Sequence, residues 1–347
     1  MTRMRAVVVE RFGPPGVLRA AEVAVPEPSA GQVLVRVRAA GVNAIDWLTR
    51  AGLGVRVSGF PAILGWDMSG TVVARGSGVT GVREGDDVFG MLSFPALASC
   101  YAEYVAAPVT DVALKPSVID HRHAAGAPMP AITAWQALFR HADLRAGQRV
   151  LIHGAAGGVG HIATQLAHST GAEVIATASA RNRDFLIDLG ADQVVDYSLG
   201  PISELVSKVD VVVDSRGGAD FLDLVNAVRP GGIVVTLKGE QPEHRAQLEA
   251  QQVRAGYVYV GPDPQALNAV AQHLAHADAK AVGSRIVSSC SALGEAGGRH
   301  QPKKTVVAAV PTPQCECTEC DQLRGECDRQ VGPLPDFRDV RGRSGTR

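Results

Sequence analysis

The sequence is poor in cysteine: six among 347 residues. Cys100 alone precedes residue 290, and Cys290, Cys315, Cys317, Cys320 and Cys327 crowd toward the C-terminus. A disulfide framework draws on cysteines spread through the fold, so none is expected. There is no basic block in the body of the chain and the formal net charge is -1, which gives no support for nucleic-acid binding. Residues 1–16 lack the apolar core of a secretory signal, and no uninterrupted apolar run is long enough to span a bilayer. The expectation is a cytoplasmic protein with no membrane partner. What the chain does have is 46% hydrophobic and 20% charged residues, enough for a packed core, and a length that suits two domains.

The first part, to about residue 125, is rich in Val, Gly and Pro with short alternating runs. Gln32–Arg38, Ser69–Ala74 and Asp87–Gly90 read as strands separated by turns such as Gly81–Asp86, suggesting an irregular β-barrel or sandwich. From about residue 126 the rhythm changes. Helical patterns at Ala131–Arg140, Asn182–Leu189, Asp220–Val228 and Pro264–Ala277 alternate with Val/Ile-rich strands at Gln148–Ile152, Glu173–Thr177, Gln193–Asp196, Val209–Asp214, Ile233–Leu237 and Gly256–Val260. Near-continuous apolar strands alternating with helices imply a doubly wound parallel sheet. Beyond Lys280 the pattern decays to a last strand at Thr305–Val310, and residues 311–347 read as a poorly ordered tail.

The most specific stretch is His153-Gly154-Ala155-Ala156-Gly157-Gly158-Val159-Gly160, between a strand and a helix. Glycines there let the backbone turn tightly and approach an anion, and the helix N-terminus then faces a pyrophosphate. Gly154, Gly157 and Gly160 form a variant of the dinucleotide fingerprint, with Ala156 near the place of a usual glycine and Gly158 and Val159 completing the turn. After the second strand of this unit the chain reads Thr177-Ala178-Ser179-Ala180-Arg181-Asn182-Arg183, with no carboxylate before Asp184. An NAD-selective fold places an acid there for the ribose 2′-hydroxyl. Ser179 and Arg181 suit a 2′-phosphate instead, so NADPH is favoured. A solvated helix start is the alternative reading of Arg181 and Arg183.

Several separate stretches, in order, carry a family likeness: Gly41–Asp46, Leu64–Gly70, Ile132–Leu138, His153–Gly160, Leu189–Asp192 with Asp196-Tyr197, and Gly256–Pro262. The chain resembles the zinc-independent quinone oxidoreductase branch of the medium-chain dehydrogenase/reductase superfamily. The resemblance implies an α/β protein: a GroES-like irregular β-barrel domain (residues 1–125), a Rossmann-type doubly wound parallel sheet binding NADP (126–265), and a C-terminal return to the first domain, here degenerate (266–310), before the cysteine-containing tail (311–347). It implies NADPH-dependent reduction of a quinone or of the C=C bond of an α,β-unsaturated carbonyl, and a homodimer paired through the sheet edge near Tyr257–Val260. A binding protein with little catalysis and a C-terminally damaged homologue are the alternatives.

Zinc-dependent relatives carry cysteine and a His-Glu pair where this chain has Asn43, Trp66 and Asp67. Asn and Trp are not zinc ligands, so no metal is expected in the body of the chain. Asn43 is the candidate for orienting water, substrate or the nicotinamide ribose, with a turn-forming role as the alternative. Thr133 is placed at the nicotinamide side or as a helix cap, Trp66 as a pocket wall or core, and Asp46 as a loop-fixing residue. By resemblance Tyr197 is a further phosphate contact. The tyrosine that some relatives carry soon after the Asn-bearing stretch is absent from Arg50–Val55, leaving water to deliver the proton. His153 and His161 read as local packing or solvent-facing residues. The run Cys315–Cys320 with Cys327 does not match paired CxxC spacing, and reads as a non-native or unrelated extension more readily than as a metal site.

Overall fold

In the computed structural model the described residues are 2–239 and 242–275, with the backbone of two later strands, Arg285–Ser288 and Thr305–Ala308. The tail at 311–347, with its cysteine cluster, lies outside them. The strands are β1 Arg3–Val9, β2 Leu18–Ala24, β3 Gln32–Gly41, β4 Ala62–Ile63, β5 Asp67–Arg75, β6 Asp87–Met91, β7 Tyr104–Pro108, β8 Ala113–Leu114, β9 Arg149–His153, β10 Glu173–Ala178, β11 Gln193–Asp196, β12 Val209–Asp214, β13 Val228–Thr236, β14 Arg254–Tyr257, β15 Arg285–Ser288 and β16 Thr305–Ala308. The helices are α1 Ala44–Arg50, α2 His121–Gly126, α3 Pro128–Trp135, α4 Gly160–Ser169, α5 Arg183–Asp188, α6 Ile202–Leu205, α7 Phe221–Ala227, α8 Arg245–Ala250 and α9 Pro264–Ala275.

Two β-systems make up the first lobe. A three-stranded sheet runs β2-β1-β4, and a larger sheet runs β15-β16-β3-β5-β6-β8, with β7 also on β3; its pairs are antiparallel except β15 with β16. Strand β16 pairs with the end of β3, Val306 opposite Gly41. The second lobe is a six-stranded parallel sheet in the order β11-β10-β9-β12-β13-β14, a doubly wound arrangement. Its alternation is clean. Val150, Ile152, Val211 and Val213 enter one apolar cluster, and Leu151 and Val212 enter the other, on the opposite face. Residues buried on both faces explain why these strands read as continuous Val/Ile runs.

Some elements differ from the sequence reading. The strand expected at Gly256–Val260 is β14, Arg254–Tyr257; after it Val258 makes one more backbone bond to Thr236 O and the chain leaves the sheet. Tyr259 therefore lies on no strand, and its ring packs on Phe94 of the first lobe, 6.1 Å between centroids. The helix expected at Ala131–Arg140 starts earlier, with prolines in its first turn, and widens to a π-type turn over Gln136–His141.

Helix α9 joins the lobes: Ala266, Leu267, Val270 and Leu274 lie in the first-lobe core although the helix follows the parallel sheet. Asp263 sets its start. This carboxylate is 5% exposed, accepts Ala266 N–H at 3.0 Å and Gln136 Nε2 at 3.1 Å, and pairs with Arg140 Nη2 at 2.9 Å. Asp before Pro264 is an N-cap with proline in the first helical position. Asp263→Ala strands buried donors and is expected to lower the unfolding free energy by about 1–3 kcal/mol in denaturant titration, with Asp263→Ser recovering part of it.

Candidate active site

The order of the parallel sheet reverses between β9 and β12, and in doubly wound sheets the C-terminal side of that switch point is where a ligand crevice forms. The glycine turn fills the lip. Gly154 has φ +76°, and a Cβ there would meet Ser215 Oγ at 2.6 Å. A Cβ on Gly160 would lie 2.5 Å from Gly154 O and 2.7 Å from Ala155 Cα. These two positions exclude side chains because protein atoms fill the space. Gly158 is different: nothing lies within 4 Å of its Cβ position, so the protein itself gives no reason for glycine there. Gly157 N–H closes the turn on Gly154 O at 2.9 Å, Ala156 and Val159 are half-buried, and α4 begins at Gly160.

Thr177, at the end of β10, holds this turn from below. Its hydroxyl accepts Gly154 N–H at 3.1 Å and shares a hydrogen bond with His153 Nδ1 at 2.9 Å, and its carbonyl accepts Ala155 N–H at 3.0 Å. His153 and His161 are 1% and 5% exposed, so packing holds for both and solvent exposure for neither. Burial keeps the His153 pKa below the ordinary histidine value, with Asp214 opposing and Arg216 adding to the effect. The role of Thr177 was invisible in the sequence, where it is one more β-branched residue in a buried strand.

Around the rim, Ser179 is half-buried and accepts from Asn182 Nδ2 at 3.1 Å, while Arg181 is exposed on the same loop. Arg183 turns away to Val194 O at 3.2 Å. Asp196 holds the loop through Ala180 N–H at 3.1 Å, and Ser198 occupies its other oxygen, hydrogen bonds that keep its carboxyl below the usual range. Tyr197 is 40% exposed, and Arg216 lies over its ring with Cζ 4.7 Å from the centroid. Arg216 escaped the sequence reading; an arginine in the Ser215-Arg216-Gly217-Gly218 turn after a buried strand was its only signal.

In the first lobe, Asn43 begins α1 at the edge of a buried acid cluster. Its Nδ2 donates to Asp67 Oδ2 at 2.9 Å, and its backbone N–H donates to Asp46 at 2.6 Å. Asp67 is fully buried and also accepts Met129 N–H at 2.9 Å, linking β5 to α3. The sequence reading noticed Asp67 only for the ligand it replaces. Asp46 hydrogen-bonds Tyr101, whose hydroxyl is pushed well above its ordinary pKa by burial and by that carboxylate. Burial, with Asp67 and Asp46 nearby, likewise keeps Cys100 a thiol. Thr133 is not a helix cap: it lies within α3 and donates to Met129 O at 2.7 Å. Trp66 is fully buried, donates to Ala96 O at 2.7 Å and stacks edge-on against Phe94, which makes it core and not pocket wall. Among the described residues, no three His, Cys, Asp or Glu side chains are placed to hold a metal ion.

Residues 29–117 match the alcohol dehydrogenase GroES-like domain family and residues 158–261 the zinc-binding dehydrogenase family. The chain is 39% identical over 245 residues to the NADPH-dependent alkenal/one oxidoreductase, chloroplastic, of Arabidopsis thaliana, covering 68% of this chain and 63% of that protein. It is 32% identical over 242 residues to the quinone oxidoreductase of Rattus norvegicus, covering 67% and 73%. The chain spans 63% of the length of the Arabidopsis relative and of the 2-methylene-furan-3-one reductase of Solanum lycopersicum. The quinone oxidoreductase structure from Coxiella burnetii superposes with a TM-score of 0.79 at 33% identity, over 89% of this chain and 100% of that one.

A second constellation lies apart from the crevice. Ser69 Oγ is shared between Val88 O at 3.0 Å and His121 Nδ1 at 2.8 Å, and His121 Nε2 is 3.3 Å from Asp87. Ser69 is fully buried, so no substrate reaches it; the chain of bonds ties β5 and β6 to α2. Burial lowers the His121 pKa, Lys115 and Arg38 adding to the shift and Asp87 and Asp120 opposing it. The unfolded chain then takes up the proton first, so this contribution is complete above the unfolded pKa of about 6.5 and is lost as pH falls below it. The denaturation midpoint is expected to fall between about pH 7 and pH 5, with a shallower slope in His121→Gln.

Proposed function

The chain belongs to the quinone-oxidoreductase-like branch of the medium-chain dehydrogenase/reductase superfamily, and from that membership we propose an NADPH-dependent oxidoreductase. Its reaction is hydride addition to a quinone or to the C=C bond of an α,β-unsaturated carbonyl, without zinc. The observation that supports this reading is the glycine turn at the reversal of the sheet, where the space beside Gly158 is open at the start of α4, as close approach of a pyrophosphate would need. Relatives named as NADPH-dependent alkenal/one oxidoreductase and quinone oxidoreductase support it.

Residues Gly154 to Gly160 would hold the pyrophosphate at the start of α4, with Ala156 and Val159 beside it. Ser179, Arg181 and Tyr197 would receive the 2′-phosphate. NADPH when bound supplies the hydride. The chain's own part is to place the substrate and meet the negative charge that develops on its carbonyl oxygen. The Asn43 amide suits that role because Asp67 holds one of its N–H groups and so fixes which way the amide faces. Thr133, its hydroxyl bonded to Met129 O, would line the nicotinamide side. Asn43 and Trp66 are poor zinc donors, and their bonds to Asp67 and Ala96 occupy them structurally. Strand β14, paired only with β13 among the described strands, is the edge through which a homodimer would form. A cytoplasmic location remains part of the proposal.

The full chain mixed with NADPH and a panel of quinones and enones is expected to consume reduced nicotinamide, with no loss after chelator treatment. Tight NADPH binding without turnover across the panel would instead favour a binding protein. Asn43→Ala is expected to lower kcat/KM at least about tenfold, with a smaller change in NADPH affinity. The two kinds of glycine separate in a further pair: Gly158→Val leaves the melting temperature nearly unchanged but weakens NADPH binding about tenfold or more. Gly160→Ala lowers stability by about 1–3 kcal/mol.

A further inference from the structure

Arg216 crosses the mouth of the crevice. It follows β12, and its backbone is clamped: Arg216 N–H and Gly217 N–H donate to the buried Asp214 at 3.0 and 2.9 Å. Its stem passes over the end of β9, where a Cβ on Gly154 would meet Arg216 Cγ at 2.9 Å. Its guanidinium ends over Tyr197, just beyond β11, 4.7 Å from the ring centroid. One side chain thus spans the strand ends from β12 to β11, above the turn that would hold the pyrophosphate. Arg181 lies exposed on the loop after the intervening strand β10. The nearby acid, Asp196, has its oxygens engaged by Ala180 N–H and Ser198.

We propose that Arg216 is a specificity-determining residue, a second cation for the 2′-phosphate of the coenzyme adenosine. It rests on the reading of the crevice as an NADPH site. Stacking on the exposed face of Tyr197 positions the guanidinium beside that ring, so a phosphate held at the ring edge meets Arg181 from the β10 loop and Arg216 from the β12 loop. A planar guanidinium offers paired donors to a phosphate and gains nothing comparable from a 2′-hydroxyl. The effect is therefore selective for the phosphorylated coenzyme.

Binding of NADPH, NADH and adenosine 2′-monophosphate to the full chain tests this, in the parent protein, Arg216→Met, Arg216→Lys and Arg181→Met. Arg216→Met is expected to weaken NADPH and adenosine 2′-monophosphate about tenfold or more while NADH changes less than about twofold. Arg216→Lys, which keeps the charge, recovers part of the loss. Equal weakening of NADPH and NADH by Arg216→Met, or no weakening of either, overturns the proposal. If the parent protein binds NADH as tightly as NADPH, the premise falls and the proposal with it. A parent preference for NADPH that survives Arg216→Met removes the Arg216 role alone.

Discussion

The close approach of α4 to the end of β9 is the constraint on which the crevice depends. Gly160 must lie against the Gly154 carbonyl, and no residue with a side chain fits there. That contact fixes where the helix N-terminus points and how tightly the turn folds back. It also decides the neighbours: Thr177 can reach Gly154 N–H, and Ser215 can lie beside Gly154, only because the turn is this tight. Overpacking a site of this kind costs about 1–3 kcal/mol, a large share of a typical domain's stability. The geometry of the glycine turn and the stability of the second lobe are therefore one requirement.

The first lobe solves a different problem. Two carboxylates, Asp46 and Asp67, are 3% and 0% exposed, and such groups are tolerated only when hydrogen bonds surround them. Asp67 receives Met129 N–H and the Asn43 amide, and Asp46 receives Asn43 N–H and bonds Tyr101. This cluster supports the Asn43 amide. Its shape is kept by internal hydrogen bonds, which is why Asn43 is held and not merely present.

Much of this was legible in the sequence. The alternation of buried strands and helices, the glycine spacing and the absence of an acid after Thr177 all leave local marks. Strand β11 at Gln193–Asp196 and strand β12 at Val209–Asp214 fall where the Val-rich runs place them. What was not legible depends on contacts distant in sequence. Asp67 finds Met129 62 positions later, and Arg216 finds Tyr197 across the sheet order, which no local pattern encodes. Thr133 shows the same limit: a threonine near a helix start suggests a cap, but the proline-led start of α3 places it inside the helix, bonded to its own preceding turn.

The placement of α9 has a consequence for how the molecule comes apart. This helix follows the parallel sheet in the chain yet gives Leu267, Val270 and Leu274 to the core of the other lobe. Pulling the lobes apart would bring those side chains into water, and either lobe melting would leave the helix without its partner. The two lobes are thus thermodynamically coupled, and heat absorption on unfolding should gather into one cooperative transition, not a pair.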